Sequence, residues 1–545
     1  MKFMKTKIII SYLILISLIS LGFKLYLADF SIPVNSDNLS YVLNGVAHTN
    51  GDFTHPPQRA MGWSIFLSLF FNFLNSENFI DYSNLAKIVS IGISTSTIFL
   101  IYSVGRKFFD QRYALTVSCL FAFLPALNHN SGLALSEPIF ILVTLASFYF
   151  LLHEKSKFII ISLVLAGLAY WIRLNGVVIF IIISLTYLLT FKKSQNFVRN
   201  YGIGIVLFII VISPMLIQKN DLYGDPFYSS YQGTLFSKNY EDLISRTMGD
   251  ETKTSASEFI ENEGIFSFID NFILKGIINS LSILSKLSFP YLFILIPFGI
   301  IFSFRAFDQN SKYVKRNWIF ILSSFFSMCL IVATVPEKRF LFFILPSLIL
   351  FSVIPMQRVI EYGLSTFSFS RKQKDIFLIC VLIIVIILSG LFTLRYEQAD
   401  PILENEKIDF ARYALENLNG NALRDFGGIT DYLTDVVLLE YNHFKDFEMN
   451  YWIDKEERKK FNFRTISIHA DNIDELITKG EKLDLKYLIS NNENTSFYPY
   501  VDQIYYNEEN YPFLIKIFDS DDYGFEKLKI KIFEINYKKF HESRN

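Results

Sequence analysis

Eleven apolar stretches, most of them near the length of a bilayer crossing, constrain this chain more than any other feature. They fall at about 8–27, 85–104, 114–128, 138–152, 158–171, 175–190, 201–217, 281–303, 317–335, 340–356 and 376–394. A helix rises ~1.5 Å per residue, so roughly 20 apolar residues cross a hydrocarbon core ~30 Å thick. Several stretches are shorter than that, which leaves their ends loosely defined. A twelfth, Met61 to Leu74, suits a re-entrant or interfacial segment better than a full crossing. The composition agrees: 51% of the 545 residues are hydrophobic and only 19% are charged, against ~25% charged in soluble domains. The mean hydropathy is +0.32. The chain reads as a polytopic α-helical membrane protein.

Charge sets the expected orientation. Lys2, Lys5 and Lys7 precede an apolar run too long for a signal peptide core, with no small-residue cleavage site after it, so the run reads as a retained first span. With a cytoplasmic N-terminus, the loops carrying Arg106/Lys107/Arg112, Lys155/Lys157, Lys192/Lys193/Arg199, Arg305/Lys312/Lys315/Arg316 and Arg358/Arg371/Lys372/Lys374 all lie inside. The loop 129–137 outside holds no Lys or Arg. Counting Met61–Leu74 as a span would move Arg106, Lys107 and Arg112 outside and break the positive-inside pattern. The expectation is therefore a multi-pass protein of the plasma membrane with about 11 spans, leaving residues 28–84, 218–280 and everything after Leu394 extracytoplasmic.

That division gives a membrane domain over 1–395 and a soluble domain over 396–545. In the middle outer region, Asp225-Pro226-Phe227-Tyr228 signals a turn, and Phe259 to Leu274 fits a helix lying along the membrane surface. In the last part, apolar runs shorten to strand length at Val436–Tyr441, Thr465–His469, Lys486–Ser490, Phe513–Phe518 and Lys527–Ile535. Helical patterns lie between them at Asn405–Leu418 and Ile473–Lys482, so a C-terminal soluble α/β domain is expected. Asn494-Thr495-Ser496 fits an N-glycosylation sequon. Cys119, Cys329 and Cys380 all fall in apolar segments, which indicates neither a disulfide framework nor a cysteine metal site. A net charge of −1 argues against a nucleic-acid partner.

Charged residues beside span ends mark the candidate site. Asp37 follows the first span, Glu137 heads the fourth, Arg173 sits between the fifth and sixth, and Arg339 starts the tenth; Arg59 lies in the first outer loop. All are expected on one face. A carboxylate at that depth is costly and calls for a reason. Acids there can take a proton from a substrate hydroxyl, and guanidinium groups bind phosphate in bidentate fashion. The plainer reading is that such charges snorkel to the interface, and for Lys338 it is preferred. His48, Asp52 and His55 suggest a metal site, but three such residues in a polar loop are more often solvated.

The order of motifs resembles a known family. Asp37, then His55-Pro56-Pro57, then Val104-Gly105-Arg106-Lys107-Phe108-Phe109, Leu133 to Pro138, Gly167 to Gly176, and Arg339-Phe340 leading to Leu345-Pro346 follow one another along residues 1–395. This order is similar to that of the GT-C glycosyltransferases of the protein O-mannosyltransferase and aminoarabinose-transferase kind. The resemblance implies inverting transfer of a sugar, mannose or a related hexose or pentose, from a polyprenyl- or dolichyl-phosphate carrier. The acceptor would be a protein, lipid or glycan at the extracytoplasmic face, with membrane lipids as surroundings. By matched position Asp37 takes the role of base, Glu137 that of the second acid, and Arg59 that of a donor-phosphate ligand, with Arg173 and Arg339 beside it. Where the family often has a second carboxylate next to the first acid, this chain has Asn38. The oligosaccharyltransferase motif Trp-Trp-Asp-Tyr-Gly is missing; Tyr451-Trp452-Ile453-Asp454 is the nearest approach.

No nucleotide-binding glycine loop is present and none is needed, because a lipid phosphate is already a leaving group. No cofactor is expected. A divalent metal is not favoured, since arginine alone can hold a departing phosphate. A transporter or flippase would place its acids and broken helices at mid-membrane, often in two repeated halves; here the charges gather at span ends and the halves do not repeat. A non-catalytic scaffold would tolerate loss of Asp37.

Overall fold

The computed structural model describes residues 6–34, 36–54, 60–229, 236, 255–304, 311–396, 400–424, 444, 463–466, 468, 470–492 and 498–544. His55, Arg59, Val436–Tyr441, the Tyr451–Asp454 motif and the Asn494 sequon, singled out above, lie outside these residues.

The first half is a bundle of helices. They are α1 (Thr6–Leu27), α2 (Ser36–Thr49), α3 (Gly62–Phe71), α4 (Phe79–Phe108), α5 (Gln111–Ala122), α6 (Pro125–Ser131), α7 (Glu137–Leu151), α8 (Ile159–Ile172), α9 (Val177–Thr190) and α10 (Phe197–Tyr223). After these come α11 (Ala256–Glu263), α12 (Ile265–Leu287), α13 (Leu292–Ser303), α14 (Ser311–Thr334), α15 (Lys338–Phe367) and α16 (Arg371–Thr393). Among the described residues seven helices, α1, α4, α10, α12, α14, α15 and α16, are long and apolar enough to cross a membrane. Five shorter apolar helices of 10–17 residues accompany them, including α3, α7 and α13. One continuous apolar core joins α2 through α10 to α14 and α15. The outer faces stay apolar: Ile376, Ile379, Ile383, Ile387 and Leu391 of α16 are all exposed, as helices facing lipid should be.

Two expectations change here. The stretch 281–303 is not one helix. It breaks at 288–291, where Pro290 has no N–H to continue the ladder, and the longer apolar helix runs instead from Ile265 to Leu287. The segment expected to lie on the surface, Phe259–Leu274, is thereby divided between α11 and the first half of α12. The outer region 28–84 folds into α2 and α3, and α3 falls within Met61–Leu74, the segment expected to be re-entrant or interfacial. With ten residues, α3 is ~15 Å long, half a hydrocarbon core.

Loops that the charge rule assigns to one face meet in space. Arg112 pairs with Glu361 and Asp375, Lys312 with Glu154, and Asn200 bonds Ser156.

Among the described residues the C-terminal part holds a five-stranded mixed sheet in the order β2-β1-β3-β5-β4. The strands are β1 (Gly420–Leu423), β2 (Phe463–Ile466), β3 (Leu485–Asn491), β4 (Leu514–Asp519) and β5 (Ile530–Ile535). β1 runs parallel to β2 and β3, and β5 antiparallel to β3 and β4. Helix α17 (Pro401–Asn417) covers one face, packing Phe410 and Ala414 with Ile530 and Ile532. Leu476 and Ile477 of α18 (Ile473–Glu481) and Phe540 of α19 (Tyr537–Glu542) cover the other, with Phe533 and Ile535. The alternation along β5 is what a central strand buried on both faces requires.

Candidate functional site

Asp37 stands in the first turn of α2, where unpaired backbone N–H groups and the helix dipole favour an anion. Arg339 belongs to the 3-10 turn Lys338–Ile344 that opens α15. Although 302 residues separate them, the Arg339 guanidinium donates from Nη1 to the Asp37 carboxylate. Its Nε faces the carboxylate of Glu337.

A second pair lies beside the first. Glu137 is the first residue of α7, and its Oε1 accepts from Nη1 of Arg173. Arg173 ends α8 in an extended conformation and also donates to Ser136 Oγ at 3.3 Å and Asn175 Oδ1 at 3.4 Å. Two glycines allow this turn to be so tight. A Cβ on Gly62 would lie 2.7 Å from the Trp171 carbonyl, and one on Gly176 would lie 2.4 Å from that of Ala169. Just before Glu137, Ala134 adopts a φ of 57°, a strained value for a residue with a side chain. Its carbonyl accepts from the Trp63 indole at 2.9 Å.

The two pairs form one cluster. The Phe340 ring lies 5.7 Å from the Arg173 guanidinium and 6.0 Å from that of Arg339. Ser136 Oγ donates to the Tyr41 hydroxyl at 3.4 Å, joining α7 to α2 one turn beyond Asp37. The Glu137 charge also acts on Arg339. Four residues singled out in the sequence, Asp37, Glu137, Arg173 and Arg339, are thus brought together.

Burial separates the roles of the two acids. The Asp37 and Arg339 side chains retain 22% and 27% of their exposure, whereas Glu137 retains 1% and Arg173 11%. Asp37 keeps part of its surface exposed, while Glu137 is enclosed, and its Oε2 has no hydrogen-bond partner among the described residues. Both arginines engage carboxylates rather than standing open for phosphate. A guanidinium has five N–H donors, so one carboxylate does not saturate it.

His48 belongs elsewhere. It lies at the far end of α2, eleven residues or ~16 Å of helix from Asp37. It is buried rather than solvated, stacks on Phe53 at 5.0 Å and donates from Nδ1 to the Asp52 carbonyl at 2.8 Å. Burial lowers its pKa and favours the neutral ring, against the opposing pull of Asp52. Among the described residues no three His, Cys, Asp or Glu side chains converge as metal ligands.

Sequence reasoning missed Glu337, Ser136 and Tyr41 as partners. Tyr41 had a signal, its i+4 spacing from Asp37, which carries meaning only once 36–49 is known to be helical.

Residues 56–217 match the family described as dolichyl-phosphate-mannose-protein mannosyltransferase. No curated protein matches the chain by sequence. Among solved structures, the oligosaccharyltransferase of Archaeoglobus fulgidus in its apo form superimposes with a TM-score of 0.59 at 12% identity, over 90% of this chain and 70% of that one. The archaeal oligosaccharyltransferase AglB from Archaeoglobus fulgidus, in complex with an inhibitory peptide and a dolichol-phosphate, gives 0.57 at 12% identity, over 91% and 71%. ArnT from Cupriavidus metallidurans bound to undecaprenyl phosphate aligns over 96% and 98% of the two chains at 10% identity, with a looser TM-score of 0.45.

Proposed function

We propose that this chain, a membrane glycosyltransferase of the GT-C type, transfers a sugar from a polyprenyl- or dolichyl-phosphate carrier to a hydroxyl of a protein, lipid or glycan acceptor at the extracytoplasmic face, with Asp37 as the base. The observation that carries this reading is the half-open Asp37–Arg339 pair backed by the buried Glu137–Arg173 pair. It supplies, at one point, a base for the acceptor and a cation for the leaving phosphate.

Bond changes follow from that arrangement. The acceptor oxygen attacks the anomeric carbon as its proton passes to Asp37. The bond from that carbon to the carrier phosphate breaks, and the electron pair leaves on the phosphate oxygen, where Arg339 meets the charge. A donor phosphate arriving at Arg339 competes with Asp37 for the guanidinium and releases the carboxylate towards the acceptor. Among the described residues of the cluster, three carboxylates (Asp37, Glu137, Glu337) face two guanidinium groups. An incoming anion therefore calls for further cations; Lys338 adjoins Glu337 and Arg339, and Arg59 is the first cation after Asp37. Arg173, occupied by Glu137, holds the acid turn in place and reaches the phosphate only at second hand. A divalent ion is not part of the proposal, because arginines already face both acids.

The test is transfer from polyprenyl-phosphate mannose, with glucose, galactose and arabinose analogues, by the purified full-length protein in excess EDTA. Wild type should transfer one of these sugars and Asp37→Asn should lose at least ~100-fold in turnover, the scale of a lost general base. Turnover of Asp37→Asn near wild type refutes the base assignment. Activity abolished by EDTA and restored by manganese would make Asp37 a metal ligand instead. For orientation, cysteines at the exposed positions Lys482 and Ser543 should react with an impermeant thiol reagent on intact cells.

A further inference from the structure

The six residues that lead into α2 are held by one face of α4. Asn84 Nδ2 donates to the Phe30 carbonyl at 2.8 Å, and Ser83 Oγ accepts from the Val34 amide at 2.8 Å. Lys87 Nζ donates to the Ile32 carbonyl at 2.6 Å and to the Asp29 carbonyl. Ser83, Asn84 and Lys87 stand at i, i+1 and i+4, adjacent on the helix surface. Ser83 and Lys87 are buried, as is Val34 at the end of the loop. Asp29 turns its carboxylate back to the Ser31 amide at 2.8 Å, which leaves its carbonyl for Lys87.

A buried ammonium is an expensive way to fasten a loop. Withdrawing a charge from water is costly unless hydrogen bonds replace the lost solvation. Here two main-chain carbonyls and the nearby Asp29 charge replace it. Neutral side chains could close a loop at less cost. What the ammonium adds is stiffness: charge-assisted bonds are about twice as strong as neutral ones, and two carbonyls three residues apart fix the curve of the chain. Val34, the last residue held, is three positions before Asp37.

We propose that Lys87, with Ser83 and Asn84, is a positioning residue for the transfer reaction: the clamp fixes the start of α2 and thereby the place of the Asp37 carboxylate opposite Arg339. This rests on the reading of Asp37 as the base. Lys87 touches neither substrate nor the reacting atoms and acts only through the loop. An ångström of drift in a catalytic group costs on the order of 100-fold in rate, so the clamp should be felt in turnover rather than in donor binding.

The experiment compares Lys87→Met, Lys87→Arg and Asn84→Ala with wild type and Asp37→Asn, all full-length. The donor probe is whichever polyprenyl-phosphate sugar the wild-type protein transfers, and hydrogen exchange is followed over residues 28–38. Lys87→Met should lower kcat on the order of 10- to 100-fold with donor KM within about twofold. Exchange of the loop amides should quicken, and Lys87→Arg, which can still donate to both carbonyls, should recover much of the rate. Asn84→Ala removes one bond and no buried charge; it should show the same pattern, weaker, and it keeps the proposal testable if Lys87→Met does not fold. Unchanged kcat in Asn84→Ala and Lys87→Met, beside an inactive Asp37→Asn, overturns the positioning role, as does a raised donor KM at constant kcat. Unchanged exchange over 28–38 overturns the clamp itself. An active Asp37→Asn protein defeats the base reading instead, and hydrogen exchange still reports on the clamp.

Discussion

The bundle carries an arginine–carboxylate cluster at each end of α4, and the two are built differently. Helix α4 has 30 residues and spans ~45 Å. Near its start lie Asp37–Arg339 and Glu137–Arg173. Just past its end, Arg112 meets Asp375 at 2.7 Å, Glu361 at 2.8 Å and Asp110 at 3.2 Å. Glu361 also accepts from the Tyr113 hydroxyl at 2.9 Å. This second cluster fastens α5, α15 and α16 together, and its acids are wet, with Asp375 41% exposed. In the first cluster an acid is sealed away at 1% exposure with one oxygen unpartnered among the described residues. Solvated clusters tolerate the loss of a member because water replaces it. A sealed one does not. The same residue types therefore make a fastening at one end and a candidate site at the other, and burial makes the difference.

That contrast is easiest to break at Arg173. Arg173→Ala leaves Glu137 buried and uncompensated, and should destabilise the bundle by about 3–5 kcal/mol, read as a lowered unfolding temperature in detergent. The double variant Glu137→Gln/Arg173→Met should recover most of that stability without recovering transfer. A loss below ~1 kcal/mol in Arg173→Ala would show the two clusters to be alike.

Arg339→Lys sharpens the point within the site. The charge survives and the planar fork does not, so donor KM should rise about tenfold while stability changes less than for Arg173→Ala. An unchanged KM would make Arg339 an interface anchor. At the other end, Arg112→Gln should cost about 1 kcal/mol or less, fade as salt is raised, and leave transfer untouched. A loss of activity there would couple the two ends of α4.

The smallest effect is expected in the C-terminal sheet domain. Burial raises the pKa of Glu406, but the amides of Leu528, Glu526 and Lys527, at 2.7, 2.6 and 2.9 Å, outweigh it and hold the carboxyl below the ordinary 4.5. A depressed folded pKa gives stability that is complete above ~4.5 and lost as pH falls through the lower folded value. Glu406→Gln should therefore flatten the acid limb of that domain's unfolding curve and change little at pH 7. An identical acid limb in both proteins would count against it.

Much of the architecture was legible because membrane spans announce themselves locally. The helices α1, α10, α14 and α16 were visible as apolar runs, and α17, α18, β3 and β4 as short periodic ones. Other elements gave weaker signals. The fourteen residues of α2 are too polar to stand out, yet Leu39 to His48 are all buried once the bundle has packed around them. The run 281–303 contains two prolines; one ends a helix and the other, Pro297, sits inside α13. Composition does not say which does which. The four residues of β1 have no alternation of their own and form a strand by pairing with β2 and β3 together.

By itself the sequence determined the membrane class and where most of the apolar helices fall, since each depends on a run or period within about 20 residues. The tertiary structure alone decided the partners. Arg339 finds Asp37 across 302 residues, Glu337 joins them, and Glu137 ends enclosed while Asp37 stays half open. No local pattern encodes those outcomes, because a charge's partner and its burial depend on which helix ends meet once the bundle has packed.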